Sequence, residues 1–200
     1  MQRELKSELT KQLITDKAFS LFYKNGFKTT SIDKIMKETT LSKGAFYHHF
    51  KNKKEIGLAV ISLKIQQRVI EGMIMPLKEP GDPFNILQEV FTTRLKGFSL
   101  YEKKHGCPMN NFINELGDHE SPYQTALKNI IELWKDSLIQ LIERGKAENT
   151  ILKSTPSEAV SIYLISAFEG IRGLRKLYEN DQVLTNFLEG LSLYLTQIKA

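Results

Sequence analysis

One cysteine, Cys107, stands in a chain of 200 residues, so no disulfide can form within it. That scarcity fits a reducing compartment. No apolar run approaches the roughly 20 residues that a membrane-spanning helix needs. The opening MQRELKSELTKQL has no apolar core of the secretory kind, which predicts a cytoplasmic location. Alternating apolar and polar runs of strand type are also missing. Metal-ligand spacing is absent too. His48 and His49 are neighbours, so on a helix their side chains diverge by about 100°. Two ligands for one ion need i, i+3 or i, i+4 spacing, and no carboxylate or cysteine supplies it there. No nucleophile, base and carboxylate form a coherent catalytic set. The expectation is a protein without catalytic residues, metal or cofactor.

What is present is helical spacing and an uneven charge. The net charge is +5, yet residues 1–54 hold twelve Lys or Arg against five Asp or Glu, leaving the remainder slightly acidic. A basic segment on a near-neutral body points to a polyanionic partner for that segment. Ile14, Ala18, Leu21 and Phe22 follow Leu9 and Leu13 along one predicted helical face, which Asn25-Gly26 ends. Thr29-Thr30-Ser31 caps a short helix bearing Ile32, Ile35 and Met36. Ser42 caps another, with Phe46 and Phe50 spaced i, i+4 on its inner side. Three short helices within about fifty residues describe a helix-turn-helix unit.

Asn52 then caps a helix predicted to run to residue 75, with Ile56, Ala59, Val60, Leu63 and Ile70 inward. Pro76 and Pro80-Gly81-Asp82-Pro83 end it. Further helices are expected over 84–104, 110–116, 121–148, 156–178 and 182–199. The fold class is all-α: an N-terminal three-helix helix-turn-helix domain (1–52), then an α-helical domain (53–200) in which 53–75 is the linking helix.

The stretch LSKGAFYHHFKNKKEI (41–56) concentrates small, aromatic and basic residues. Ser42 and the free amides after it can hold a phosphate at the positive end of a helix. Gly44 lets the backbone approach a duplex, and Lys43, Tyr47 and His48 can reach bases or phosphates. Residues 26–56, GFKTTSIDKIMKETTLSKGAFYHHFKNKKEI, closely resemble the DNA-binding region of the TetR family of bacterial transcriptional repressors. The shared pattern is a Gly-aromatic turn, Thr-Thr, an apolar-spaced helix, then Ser-Lys-Gly-x-aromatic-Tyr-x-His-Phe-x-x-Lys.

The resemblance implies a homodimer bound to a double-stranded DNA operator, an inverted repeat, and released by a small-molecule effector, with no membrane partner. It implies phosphate contacts from Thr29, Thr30 and Ser42, a groove face of Lys43, Gly44, Tyr47 and His48, and backbone contacts from His49 and Lys53. His48 stands where many relatives carry Tyr or another residue, so base preference does not transfer. The effector pocket is expected among Phe91, Phe98, Tyr101, Met109, Phe112, Trp134 and Phe168, for most of which core packing is the competing role. HGCPMNNFINELGD (105–118) resembles a branch of the family with Gly-Cys at the start of a short helix. Some members of that branch sense electrophiles through the cysteine, and Lys103, Lys104 and His105 are expected to favour a Cys107 thiolate.

Residues 161–178 are apolar on more than one face, which predicts burial on both. By resemblance to the family's four-helix dimer bundle, Ala167, Gly170, Leu174, Leu184, Phe187, Leu188, Leu191 and Leu195 form the dimer contact. The rival reading is an all-helical small-molecule-binding protein or enzyme with an incidental basic end. It requires that removal of 1–54 leave activity intact. Activation instead of repression would use the same contacts.

Overall fold

The structure, a computed structural model, describes residues 2–117 and 121–200. Helices α1 (Gln2–Asn25), α2 (Ile32–Thr39), α3 (Lys43–His49) and α4 (Lys53–Val60) come first. Then follow α5 (Gln66–Val69), α6 (Pro83–Lys96), α7 (Leu100–His105), α8 (Pro108–Leu116), α9 (Ser121–Ala147), α10 (Ser157–Leu174) and α11 (Gln182–Thr196). Among the described residues there is no β-strand, only an isolated antiparallel bridge between Ile151 and Lys199. No helix described is long and apolar enough to cross a membrane. The chain forms two compact units: Met1–Gln67 with Pro108–Lys128, and Arg68–Cys107 with Asn129–Ala200.

The first unit is set by its caps. Ser31, Ser42 and Asn52 each accept a backbone N–H three residues on, starting α2, α3 and α4 where the sequence predicts. Gly26, at φ +89°, ends α1 in the left-handed region. The Glu115 carboxylate of α8 then accepts the Lys28 N–H at 3.0 Å and holds that turn. Behind it Phe22, Phe27, Phe112 and Tyr123 pack ring on ring, with centroids 4.8–6.0 Å apart. Gly57 is required there, because a Cβ would lie 2.8 Å from Phe27. Leu9 and Leu13 depart from expectation: both are exposed, while Ile14, Ala18 and Phe22 are buried. Leu13 sits one residue, about 100°, away from the face Ile14 presents to the core.

The predicted linking helix contains two wider stretches, Ile61–Ile65 and Ile70–Ile74, with i→i+5 hydrogen bonds. Gln66 N–H reaches Ile61 C=O in the first, and Met75 N–H reaches Ile70 C=O at 2.8 Å in the second. Ile61, Ile65, Val69 and Met73 are buried, whereas Leu63 is exposed. In a regular α-helix a run of four-residue steps drifts by about 40° per step; wider turns hold the run on one face.

In the second unit the helix expected over 84–104 is two. α6 stops at Gly97, and Ser99 opens α7 with a capping box to Glu102. The core gathers Phe91, Trp134 and Phe168, with Trp134 fully buried and 5.4 Å from Phe168. α10 ends at Leu174 and not at 178, passing into the 3-10 turn Arg175–Leu177. The buried Arg175 ties this turn down, donating to Leu95 C=O and the Asp181 carboxylate, each at 2.9 Å.

Candidate nucleic-acid interface and effector unit

α3 is two-sided. Phe46 is fully buried and Phe50 nearly so, their rings 5.6 Å apart, while Ser42, Lys43, Gly44, Tyr47 and His48 are exposed. Five of the nine residues singled out from the sequence thus share one solvent-facing surface. Ser42 caps the helix with a contact of 3.4 Å to Ala45 N–H. Lys43 reaches back to Asp33 of α2 at 2.7 Å, and this hydrogen bond raises the lysine pKa. Both partners are well exposed, so the pair is weak and easily exchanged. His49 is half-buried, and burial followed by the charge of His48 lowers its pKa.

The other residues have structural positions. Thr30 is fully buried and its hydroxyl donates to Gly26 C=O at 2.8 Å, so its side chain does not face solvent as the expected phosphate contact requires. A hydroxyl at the foot of α2 is consumed by the turn it closes. Thr29 is exposed and donates to Asn25 C=O. Lys53 is held inward, its Nζ 3.2 Å from Lys28 C=O and 4.4 Å from the Phe27 ring centroid. Burial lowers its pKa.

The residues expected to form an effector pocket fall into three settings. Phe91, Phe98, Trp134 and Phe168 pack against one another in the second unit. Met109 and Phe112 are buried on α8, which belongs to the first unit. Tyr101 is half-exposed and stacks on His105 at 4.1 Å. None of them lines the cleft of about 500 Å³ in the second unit, whose wall includes Gly72, Pro76, Ile86, Glu89, Val90 and Arg94. No spacing rule announces this cleft, because Gly72 and Arg94 meet only through the fold.

Cys107 lies in a different setting from the expected one. It is buried, and its thiol donates to Glu169 Oε1 at 3.2 Å. Of the cations expected around it, Lys103 pairs with Asp181 at 3.0 Å, Lys104 is exposed and His105 lies on Tyr101. The Glu169 carboxyl, not one of these three cations, is the group that the thiol bonds. Burial pushes the Glu169 carboxyl above the usual carboxylate range, opposed by Arg172 and the Cys107 thiol, and Oε2 has no hydrogen-bond partner. A carboxyl whose pKa is raised by folding gives stability that is complete below the unfolded pKa, about 4.3, and lost as pH rises through the folded value. Glu169→Gln does not titrate, so its melting temperature should gain on wild type as pH rises above about 4.3. Parallel melting curves against pH would show that the carboxyl is solvated.

An exposed helix presented by a tight turn, with its opposite side buried in a three-helix unit, defines a helix-turn-helix protein. Residues 14–60 match the family model of bacterial regulatory proteins, tetR family, and residues 83–191 match the tetracyclin repressor-like C-terminal domain. The chain belongs to the TetR family and is a DNA-binding transcriptional regulator. An uncharacterized HTH-type transcriptional regulator in the lacX 3′ region of Lactococcus lactis is 32% identical over 181 residues, 89% of each chain. Transcriptional regulator AcuR of Cereibacter sphaeroides is 27% identical over 130 residues, 61% of this chain and 56% of that protein. Among solved structures, a TetR transcriptional regulator from Chloroflexus aurantiacus superposes with a TM-score of 0.84 at 24% identity, over 97% of this chain and 98% of that one.

Proposed function

We propose that the protein is a homodimeric repressor that binds an inverted-repeat operator through residues 1–52 and is released by a small molecule held in residues 53–200. The observation that carries this reading is the surface of Ser42, Lys43, Gly44, Tyr47 and His48, open to solvent on a helix anchored by Phe46 and Phe50. Such a helix fits a major groove about 12 Å wide. Thr29 and His49 lie at its border, and Thr30 and Lys53 serve it by fixing the turn around Phe27. The match to a tetracyclin repressor-like C-terminal domain favours repression over activation.

One such helix reads only a few base pairs, so site selection calls for two, about 34 Å apart or a multiple of that. The outer side of α10 and α11 suits a twofold contact. Gly170 and Leu174 are exposed on α10, while Ala167, Phe187 and Leu188 are half-exposed. Nothing lies within 4 Å of a Cβ built on Gly170 or Gly173. Leu184, Leu191 and Leu195 point into their own subunit and drop out of the expected interface. Their spacing follows the inner stripe of α11, which sequence periodicity does not distinguish from the outer one. For release, the burial of Cys107 favours a reversibly bound effector over an electrophile.

The test is binding of full-length protein to an operator selected from random duplexes. Lys43→Ala and Tyr47→Ala should each bind roughly five- to a hundredfold more weakly, with unchanged circular dichroism. Wild-type affinity should fall steeply with salt. Variants that bind like wild type, or a species that sediments as a monomer on its operator, would overturn the reading.

A further inference from the structure

The cleft beside Gly72 contains an arginine that no protein group hydrogen-bonds among the described residues. Arg94 of α6 is half-buried, stacks 4.9 Å over Phe98, and has no hydrogen-bond or ion-pair partner among the described residues. Its neighbours are committed: Arg68 pairs with Glu102, and Arg172 donates to Gly106 C=O at 3.0 Å. Burial raises the Glu102 pKa, but the bonds from Ser99 and the charges of Arg68 and Arg94 together outweigh it and leave the pKa lowered. Arg94 therefore offers the cleft a guanidinium with its hydrogen-bonding capacity unused, while Arg68 and Arg172 have bonded partners. Pro76, Pro80, Ile86 and Val90 give the wall an apolar portion. The volume, about 500 Å³, lies within the range of roughly 300–1,000 Å³ typical of small-molecule sites.

We propose that this cleft binds a small organic acid, its carboxylate forked onto Arg94 and its apolar body against Pro76, Ile86 and Val90. The planar guanidinium matches a carboxylate with two parallel hydrogen bonds. Glu79 and Glu89 also line the cleft, and both are exposed. Their charge disfavours a dianion such as phosphate, and their solvation keeps them from outweighing the desolvated guanidinium. A cation seated in the cleft would be repelled by Arg94.

The proposal rests on the effector reading for its consequence, and Gly72 supplies the link. A Cβ on Gly72 would lie 2.9 Å from Arg94 Nε and 3.0 Å from Cζ, so the guanidinium lies directly against the backbone of the Ile70–Ile74 stretch. A carboxylate that draws Arg94 into the cleft takes it off that backbone, which continues the linking helix.

Calorimetry on the full-length protein with acetate, butyrate, hexanoate, octanoate and benzoate, against benzamide, benzylamine and inorganic phosphate, tests the site. At least one carboxylate should bind wild type, with benzamide, benzylamine and phosphate weaker. Arg94→Gln should bind that acid roughly ten- to a hundredfold more weakly. Gly72→Ala, which displaces the guanidinium without removing it, should weaken binding too, and it decides the matter if Arg94→Gln does not fold. No binding by any acid, equal binding by phosphate or benzylamine, or wild-type affinity in the variants overturns the proposal. Operator binding is read separately: an acid that binds at Arg94 and leaves operator affinity unchanged upholds the site and removes its role as effector.

Discussion

Gly44→Leu should abolish operator recognition while leaving the fold intact or slightly firmer. A Cβ at position 44 meets only Ser42 Oγ, at 3.6 Å, and the residue is exposed. Replacing a helical glycine by leucine contributes about 0.5–1 kcal/mol through propensity alone. The same side chain on the duplex-facing surface would hold α3 away from the groove floor and break several contacts together. At 1–3 kcal/mol for each, two or three lost contacts mean about a hundredfold or more in affinity. Fluorescence anisotropy on the operator, beside thermal melting, separates the two effects. Undiminished affinity would mean that this surface is not the one that meets DNA.

Trp134→Ala should be the most destabilising single truncation in the second unit. The indole is fully buried between Phe91 and Phe168, 6.4 and 5.4 Å away. Emptying such a site costs about 3–5 kcal/mol, and for a chain of this size each 1 kcal/mol lowers Tm by roughly 2–4 °C. Trp134 Nε1 has no hydrogen-bond partner, so Trp134→Phe loses only volume and should cost much less. Calorimetric melting of the two variants checks this. Equal losses would reveal a polar role for the indole that its surroundings do not suggest.

Local chemistry made the first unit readable. Ser31, Ser42 and Asn52 cap the helices that follow them, and Gly26 turns the chain with a positive φ, because caps and turns depend on one or two residues and their neighbours. The same logic was written at Ser99-x-x-Glu102, but apolar periodicity running through Phe98 masked the break between α6 and α7. Periodicity also gave the wrong face for Leu9, Leu13 and Leu63, where a stripe can be drawn one residue off or a turn is wider than α. Thr30, Cys107 and Arg94 were opaque for another reason. Their roles depend on Gly26 C=O, Glu169 and Gly72, and for the last two the partner is far away in sequence.

The two wide turns in the stretch 61–74 bear on how this segment tolerates a change of length. Such a turn amounts to an ordinary helical turn with one residue added. Excising one residue from Ile61–Ile65 can restore regular winding and keep Ile56 and Val69 aimed at the interior. A like excision midway through α9 has no slack to draw on and would swing every later side chain by about 100°.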